Sequence, residues 1–239
     1  MSTRARVSLP LLVVGVLWLH ATPVTAQSNA AGWIALQGTS LNADSRYPSG
    51  TEKVSGRAIG GEGGLNWRLV SLRVGYHNGA LSPDTSGPAG RDYIEGFAFL
   101  GVRPLPGLEI SGGPRSRAYV RTLRVPSALD GLPIGFGQEG TQENTQRWLT
   151  WELHGRYEGA LAPDLIGAYG ELWAAVAGQV SNAGKFDRGR GAETGVILYL
   201  ARGLLGVRLG YALDETRLGG GTWRETVTGL RLAVGYGRR

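Results

Sequence analysis

The chain closes on TGLRLAVGYGRR, residues 228–239. Leu230, Leu232, Val234 and Tyr236 fall on one side of an extended chain. Gly229, Arg231, Ala233 and Gly235 fall on the other, the two-residue period of a β-strand. An arginine and three very small residues make a poor apolar core. A soluble sheet turns its bulky apolar face inward, whereas a membrane barrel turns that face to lipid and encloses a polar, crowded lumen. The fold therefore depends on which side of the wall is dry.

Three other stretches repeat the pattern. In 205–214, Leu205, Val207, Leu209, Tyr211 and Leu213 oppose Gly206, Arg208, Gly210, Ala212 and Asp214. In 147–157, Leu149, Trp151, Leu153 and Tyr157 oppose Trp148, Thr150, Glu152, His154 and Arg156. In 69–76, Val70, Leu72, Val74 and Tyr76 oppose Ser71, Arg73 and Gly75. Charges of both signs travel with small residues. A water-facing side has no need to be small and ordinarily carries lysine, yet Lys53 and Lys185 are the only lysines. The pattern predicts an all-β fold: a closed, antiparallel, up-and-down transmembrane β-barrel of about ten strands, within a range of eight to twelve. An exported soluble β-barrel that holds a small apolar ligand is the alternative, since alternation alone suits both.

Candidate strands run near 31–41, 57–65, 69–77, 92–103, 107–122, 146–157, 164–180, 191–202, 205–215 and 222–236. The segments between them alternate long and short: 42–56, 78–91, 123–145 and 181–190 are long, and 66–68, 104–106, 158–163 and 203–204 are short. Long polar loops on one rim and tight turns on the other are the outer-membrane arrangement, with both termini on the short-turn, periplasmic side. Pro114 interrupts 107–122 and predicts a bulge or a strand end, because proline cannot donate to a ladder. In 92–102, Ile94, Ala98, Leu100 and Val102 face lipid only if Phe97 and Phe99 turn inward beside Tyr93 and Glu95. Tyr76, Tyr157, Tyr211 and Tyr236 fall on apolar faces near predicted strand ends, where phenols suit a bilayer interface.

Composition agrees. Arg4 and Arg6 precede the run LPLLVVGVLWL, and VTA at 24–26 offers small residues before Gln27, so residues 1–26 read as a signal peptide. Its removal leaves residues 27–239 as one barrel domain and takes the net charge from +6 to +4. That is too mild for nucleic acid, which is not expected as a partner. Cysteine is absent, so no disulfide holds an exported chain together. Glycine is 40 of 239 residues, more than twice the usual share of about 7%, without the three-residue period of collagen.

The chain resembles the small bacterial outer-membrane β-barrel proteins of the OmpA/OmpX type over nearly all of its mature length. In the last strand, Gly229 followed by Leu232 and Val234 looks like that family's C-terminal insertion signal. The family usually ends on an aromatic residue, and here Tyr236 is followed by Gly-Arg-Arg. The resemblance implies a place in the cell outer membrane after export. It also implies partners: outer-membrane lipid and lipopolysaccharide, periplasmic chaperones, and the barrel-insertion machinery.

The polar faces nominate Arg73, Glu95, Glu109, Arg115, Arg117, Arg121, Glu152, His154, Arg156, Glu171, Arg208, Asp214 and Arg231 as lumen charges. They could form a selective passage or a proton-linked site around His154. A structural salt-bridge network is the favoured reading, because barrels of roughly eight to ten strands are about filled by their own side chains. Arg115, Arg117 and Arg121 share one face of one strand. They could attract an anionic solute or a lipopolysaccharide phosphate, or could reach Glu95, Glu109 or Glu152 on neighbouring strands. An outer-membrane hydrolase would need a nucleophile beside an imidazole; His77 with Ser82 and Asp84 is the set that can be drawn. Neither metal-ligand spacing nor a phosphate or dinucleotide fingerprint is present, so no cofactor is expected. The expected role is non-enzymatic: a structural or surface-binding barrel with at most a narrow solute path.

Overall fold

A computed structural model describes residues 30–48, 50–83, 91–124, 141–180, 185–221 and 223–237. Ten strands follow one another: β1 (Ala30–Tyr47), β2 (Gly50–Trp67), β3 (Val70–Pro83), β4 (Arg91–Leu105), β5 (Leu108–Arg124), β6 (Thr141–Ala162), β7 (Ile166–Val180), β8 (Phe186–Leu200), β9 (Leu205–Leu218) and β10 (Trp223–Gly237). Each pairs antiparallel with its sequence neighbours, and β10 pairs with β1 from Trp33↔Gly237 to Arg46↔Arg224, so the sheet is a closed up-and-down barrel. The signal-peptide stretch, residues 1–26, lies outside the described residues.

The four connections 68–69, 106–107, 163–165 and 201–204 sit on the rim that also holds both strand termini. Their chemistry fits tight turns. Pro106 and Gly107 occupy the two central positions between β4 and β5, and Gly107 takes φ +77°, the left-handed value that the second central position of a type II turn demands. A Cβ there would also stand 2.2 Å from the Glu158 carbonyl oxygen.

On the opposite rim the strands run further than the sequence suggested. Segment 42–56 is not a long loop: β1 continues to Tyr47 and β2 starts at Gly50. Residues 78–83 likewise extend β3 and 141–145 extend β6. Pro114 does not end β5 or bulge it. The β4–β5 pairing skips from Phe97↔Arg115 to Leu100↔Gly112 in unchanged register, while Pro114 still pairs Trp151 on the other side, so the missing N–H leaves a gap in one ladder only. Register shifts occur instead at Val102/Leu105, Trp151/Glu152, Ala160/Ala162 and Phe186/Arg188.

The wall is inverted relative to a soluble protein. Leu205, Val207, Leu209, Tyr211 and Leu213 face outward on β9, with Leu209 46% exposed, while Arg208 and Asp214 are buried inside. Leu230, Leu232, Val234 and Tyr236 do the same on β10. Ile94, Leu100 and Val102 face outward on β4, with Tyr93, Glu95, Phe97 and Phe99 within. The eight steps from Leu205 to Leu213 run about 27 Å along the strand at ~3.4 Å per residue. A strand tilt of about 40° turns that into roughly 20 Å of height, close to the apolar band of a transmembrane barrel.

Beyond this belt the wall reverses. Outward residues become Asn42, Lys53, Arg57, Asn78, Ser82, Arg190, Arg217 and Arg224. Inward residues become apolar: Leu41, Val54, Leu81, Tyr119, Trp148, Leu218 and Val227 form a buried cluster, joined by Phe186 and Trp223. Tyr76 and Tyr211 therefore stand in mid-strand, at the outer border of the belt, whereas Trp67 and Tyr236 mark the border near the short turns. Aromatic girdles at both interfaces fit this placement.

Leu209→Arg, at the centre of the belt, is expected to reduce membrane-folding stability by about 2–4 kcal/mol. Thr226→Arg, on the polar extension, should change it by less than about 0.5 kcal/mol. Urea titration of both variants in lipid vesicles measures the contrast, and equal costs would refute the two-zone wall.

Candidate functional site: the crossed lumen

The interior is crowded because small residues on one strand make room for rings on another. A Cβ on Gly75 would lie 2.4 Å from the Phe97 ring, one on Gly191 2.1 Å from Trp173, and one on Gly210 2.1 Å from the Tyr169 hydroxyl. This explains why glycine keeps company with charge on the inward faces. The rings in turn pack on guanidinium groups: Arg208 lies over Trp33 and Tyr169 at 5.8 and 5.5 Å, and Arg115 lies over Trp173 at 5.8 Å.

The charges meet across the barrel, not just along it. Arg73 on β3 donates two hydrogen bonds to Glu171 on β7, at 2.9 and 2.5 Å. Glu171 also sits 2.7 Å from His154 Nδ1, whose Nε2 lies 3.0 Å from Glu152. Arg115 donates to Glu95 at 2.7 Å and to Asp214 at 2.9 Å, and lies 3.6 Å from Glu152. Arg117 donates to the same two carboxylates at 3.1 and 2.9 Å, with Glu225 at 3.8 Å. The Tyr119 hydroxyl donates to Glu225 at 2.7 Å. In the ring order β5 and β10 are five strands apart of ten, so this bond crosses the full width of the lumen. Nearer the short turns, Arg208 on β9 reaches Glu62 on β2 at 2.8 Å, and Arg231 bonds Glu193.

The sequence-nominated charges divide accordingly. Arg73, Glu95, Arg115, Arg117, Glu152, His154, Glu171 and Asp214 form one connected network, and Arg156 touches its edge, 3.9 Å from Glu171. Arg208 and Arg231 hold separate pairs. Glu109 is half-buried opposite Arg156 in the β5–β6 register, and its Oε1 has no hydrogen-bond partner among the described residues. It is therefore not the carboxylate that Arg115 and Arg117 use. Arg121 sits opposite Arg91 in the β4–β5 register, and its side chain lies outside the described residues.

Sequence reasoning missed Glu62, Glu193 and Glu225. The signal was present as GEG at 61–63 and as the continued alternation through Glu193-Thr-Gly195 and Glu225-Thr-Val227. The hydrolase set does not assemble. His77 is buried inside, 3.8 Å from Glu95, whereas Ser82 projects from the outer face of the same strand, as odd and even positions must. Asp84 lies outside the described residues. Among the described residues no group of three or more His, Asp or Glu side chains is arranged to hold a metal ion.

No family model and no curated protein matches the chain. Among solved structures, it is similar to the translocator domain of the autotransporter NalP from Neisseria meningitidis, at 12% identity and a TM-score of 0.46, covering 89% of this chain and 90% of that one. It is also similar to the β domain of the Bordetella autotransporter BrkA, at 14% identity and 0.40, covering 87% and 99%. For Neisserial surface protein A the figures are 14% and 0.33, covering 85% and 96%. The wall itself decides the class: an even number of antiparallel strands closes into a ring, with an apolar belt outside, charges within, and the start of β1 and the end of β10 on the short-turn rim.

The chain is a ten-stranded β-barrel of the transmembrane kind.

In such a barrel an enclosed charge is tolerable only when matched. Arg117→Ala, which leaves Glu95 and Asp214 with one cation fewer, is expected to cost about 3–5 kcal/mol. Arg117→Ala combined with Asp214→Ala should cost less than the sum of the single changes, by about 0.5–3 kcal/mol. Strict additivity in urea titrations would argue against the pairing. Gly210→Leu, forced against Tyr169, should lose about 1–3 kcal/mol by overpacking, read in the same assay.

Proposed function

We propose that this is an outer-membrane barrel, sealed and non-enzymatic, exported through cleavage of residues 1–26 and serving a structural or surface-binding role with at most a narrow solute path. The observation that carries the reading is the Tyr119–Glu225 hydrogen bond across the lumen. Two further features reinforce it. Arg117 and Asp214 join strands four places apart, and the Trp148 and Trp223 rings meet edge to face at 6.2 Å over the same level. A steady pore through these layers would have to break matched ion pairs, each costly to leave half-made. Channels that conduct freely use far more strands.

A surface role draws on the other rim. There the strands overrun the belt, and residues 84–90 and 125–140 join β3 to β4 and β5 to β6. The buried triad His154, Glu152 and Glu171 is the arrangement a proton-linked site would use. Both imidazole nitrogens already face carboxylates, however, and among the described residues the Thr150 hydroxyl, which donates to Glu152 at 2.9 Å, is the one side-chain hydroxyl bonded to the triad.

Purified, refolded protein in a planar bilayer is expected to show no sustained channel, and Tyr119→Ala with Glu225→Ala and Trp148→Ala to raise the conductance. A steady open channel in the wild-type protein overturns the sealed-lumen reading.

A further inference from the structure

Above the apolar belt, one rung of the outer wall carries four arginines in a row. Arg188 on β8 pairs with Arg217 on β9, Arg217 with Arg224 on β10, and Arg224 with Arg46 on β1. At the ~4.8 Å spacing of neighbouring strands the four span about 14 Å. Like charges placed directly opposite one another destabilise a sheet. The rung below avoids this by mixing both signs: Arg190, Glu215, Thr226, Asp44 and Lys53. The arginine row has no carboxylate of its own. Glu215, one rung down, accepts hydrogen bonds from Arg217 at 2.8 Å, Arg224 at 3.0 Å and Arg190 at 3.4 Å. Asp187, in the bulge beside Arg188, accepts from the Gly221 N–H, and Arg188 has no partner among the described residues.

The β1 end of the row opens on a hollow of about 450 Å3, where Arg46, Arg224 and Lys53 stand around Asp44, Asn42 and Thr226. Asp44 Oδ1 is enclosed there without a hydrogen-bond partner among the described residues, with Arg46 Nε 3.7 Å away. An unused acceptor at the end of a row of cations would repel a bare polyanion. It suits an acid that also carries hydroxyls.

We propose that this face of β8, β9, β10 and β1 docks an acidic polysaccharide with a carboxylate on each sugar, a polyuronate. The proposal names a partner for the surface-binding reading and rests on it. Each guanidinium fork matches a carboxylate through two parallel hydrogen bonds, and the strand spacing is close to the length of one pyranose in an extended chain. Asp44 accepts a sugar hydroxyl, and Asn42 and Thr226 offer further polar contacts. Height sets the site apart from the membrane's own lipid. The row lies four residues beyond Leu213 on β9 and six beyond Leu230 on β10. At ~3.4 Å per residue and a tilt of about 40°, that is roughly 10 and 16 Å. Headgroups add only about 5–8 Å to each side of the hydrocarbon, so the polymer comes from the medium and not from the leaflet.

The test titrates refolded full barrel in nonionic detergent with three probes: a galacturonate hexamer, the same hexamer methyl-esterified, and polyglutamate of equal charge. An exposed charge pair is worth up to about five-fold in affinity, so Arg46→Gln with Arg188→Gln, at the two ends of the row, should weaken the hexamer about ten-fold. The methyl ester should bind the wild-type barrel as weakly, and polyglutamate should not displace the hexamer. Asp44→Ala separates sugar recognition from charge alone. Loss of a carboxylate tightens the binding of any polyanion, whereas loss of the hydroxyl's acceptor should weaken the hexamer about three-fold. Heat-modifiable gel mobility checks that every variant is folded. Unchanged affinity of the double variant overturns the inference; so does undiminished binding of the ester, displacement by polyglutamate, or unchanged or tighter binding by Asp44→Ala. Steady conduction by the wild-type barrel would undo the sealed-lumen reading and leave this titration unaffected, and failure of the titration would leave the sealed lumen untouched.

Discussion

Hydrocarbon offers no partner to a backbone N–H or C=O, so every such group at membrane depth has to be met within the wall. The β1–β10 seam is the contact that makes this possible. It runs in one register from Trp33↔Gly237 to Arg46↔Arg224 and joins residues almost the whole described chain apart. Without it β1 and β10 would each present an open edge to lipid. With it, the ring has a fixed circumference of ten strands, and the size of the lumen follows.

A lumen of that size has to be filled, and the filling explains the composition. Large rings and arginines fit only where the neighbouring strand offers glycine, as Gly75 does for Phe97 and Gly191 for Trp173. The enclosed charges then have little solvent to lean on. Glu95 takes hydrogen bonds from Tyr93, Arg115 and Arg117 at once, and Glu171 lies between Arg73 and His154. Arginine suits this setting better than lysine, since its fork can serve two carboxylates at fixed angles. Arg115 and Arg117 both do so.

The same ten strands build two kinds of barrel end to end. Across the apolar belt the interior is charged and the exterior greasy; above it the interior holds Leu41, Val54, Leu81, Trp148 and Leu218 while the exterior carries Lys53, Arg57, Arg190 and Arg217. The reversal follows from the solvent on each side of the wall. Once the strands leave hydrocarbon, outward apolar groups lose their lipid, and burying them inside becomes favourable as in any water-soluble protein. The extension carries the long-connection rim beyond the apolar belt.

Strand identity and the apolar face of each membrane-level strand are determined by the sequence alone, because side-chain alternation is local and period two reads directly from neighbours such as Leu209 and Gly210 or Leu232 and Arg231; strand number is bounded there only to eight to twelve. The end of each strand is less legible. Residues 42–56 look like a polar loop because their outward positions, Asn42, Asp44, Arg46 and Lys53, are water-facing strand positions above the belt. Which charges meet is decided only in the tertiary structure. Arg117 could as well have reached Glu109, on its own strand, as Asp214, four strands away; ring closure and register place the latter beside it and leave Glu109 Oε1 without a partner among the described residues. Distance across a lumen is set by strand number and stagger, and neither is written in any stretch of ten residues.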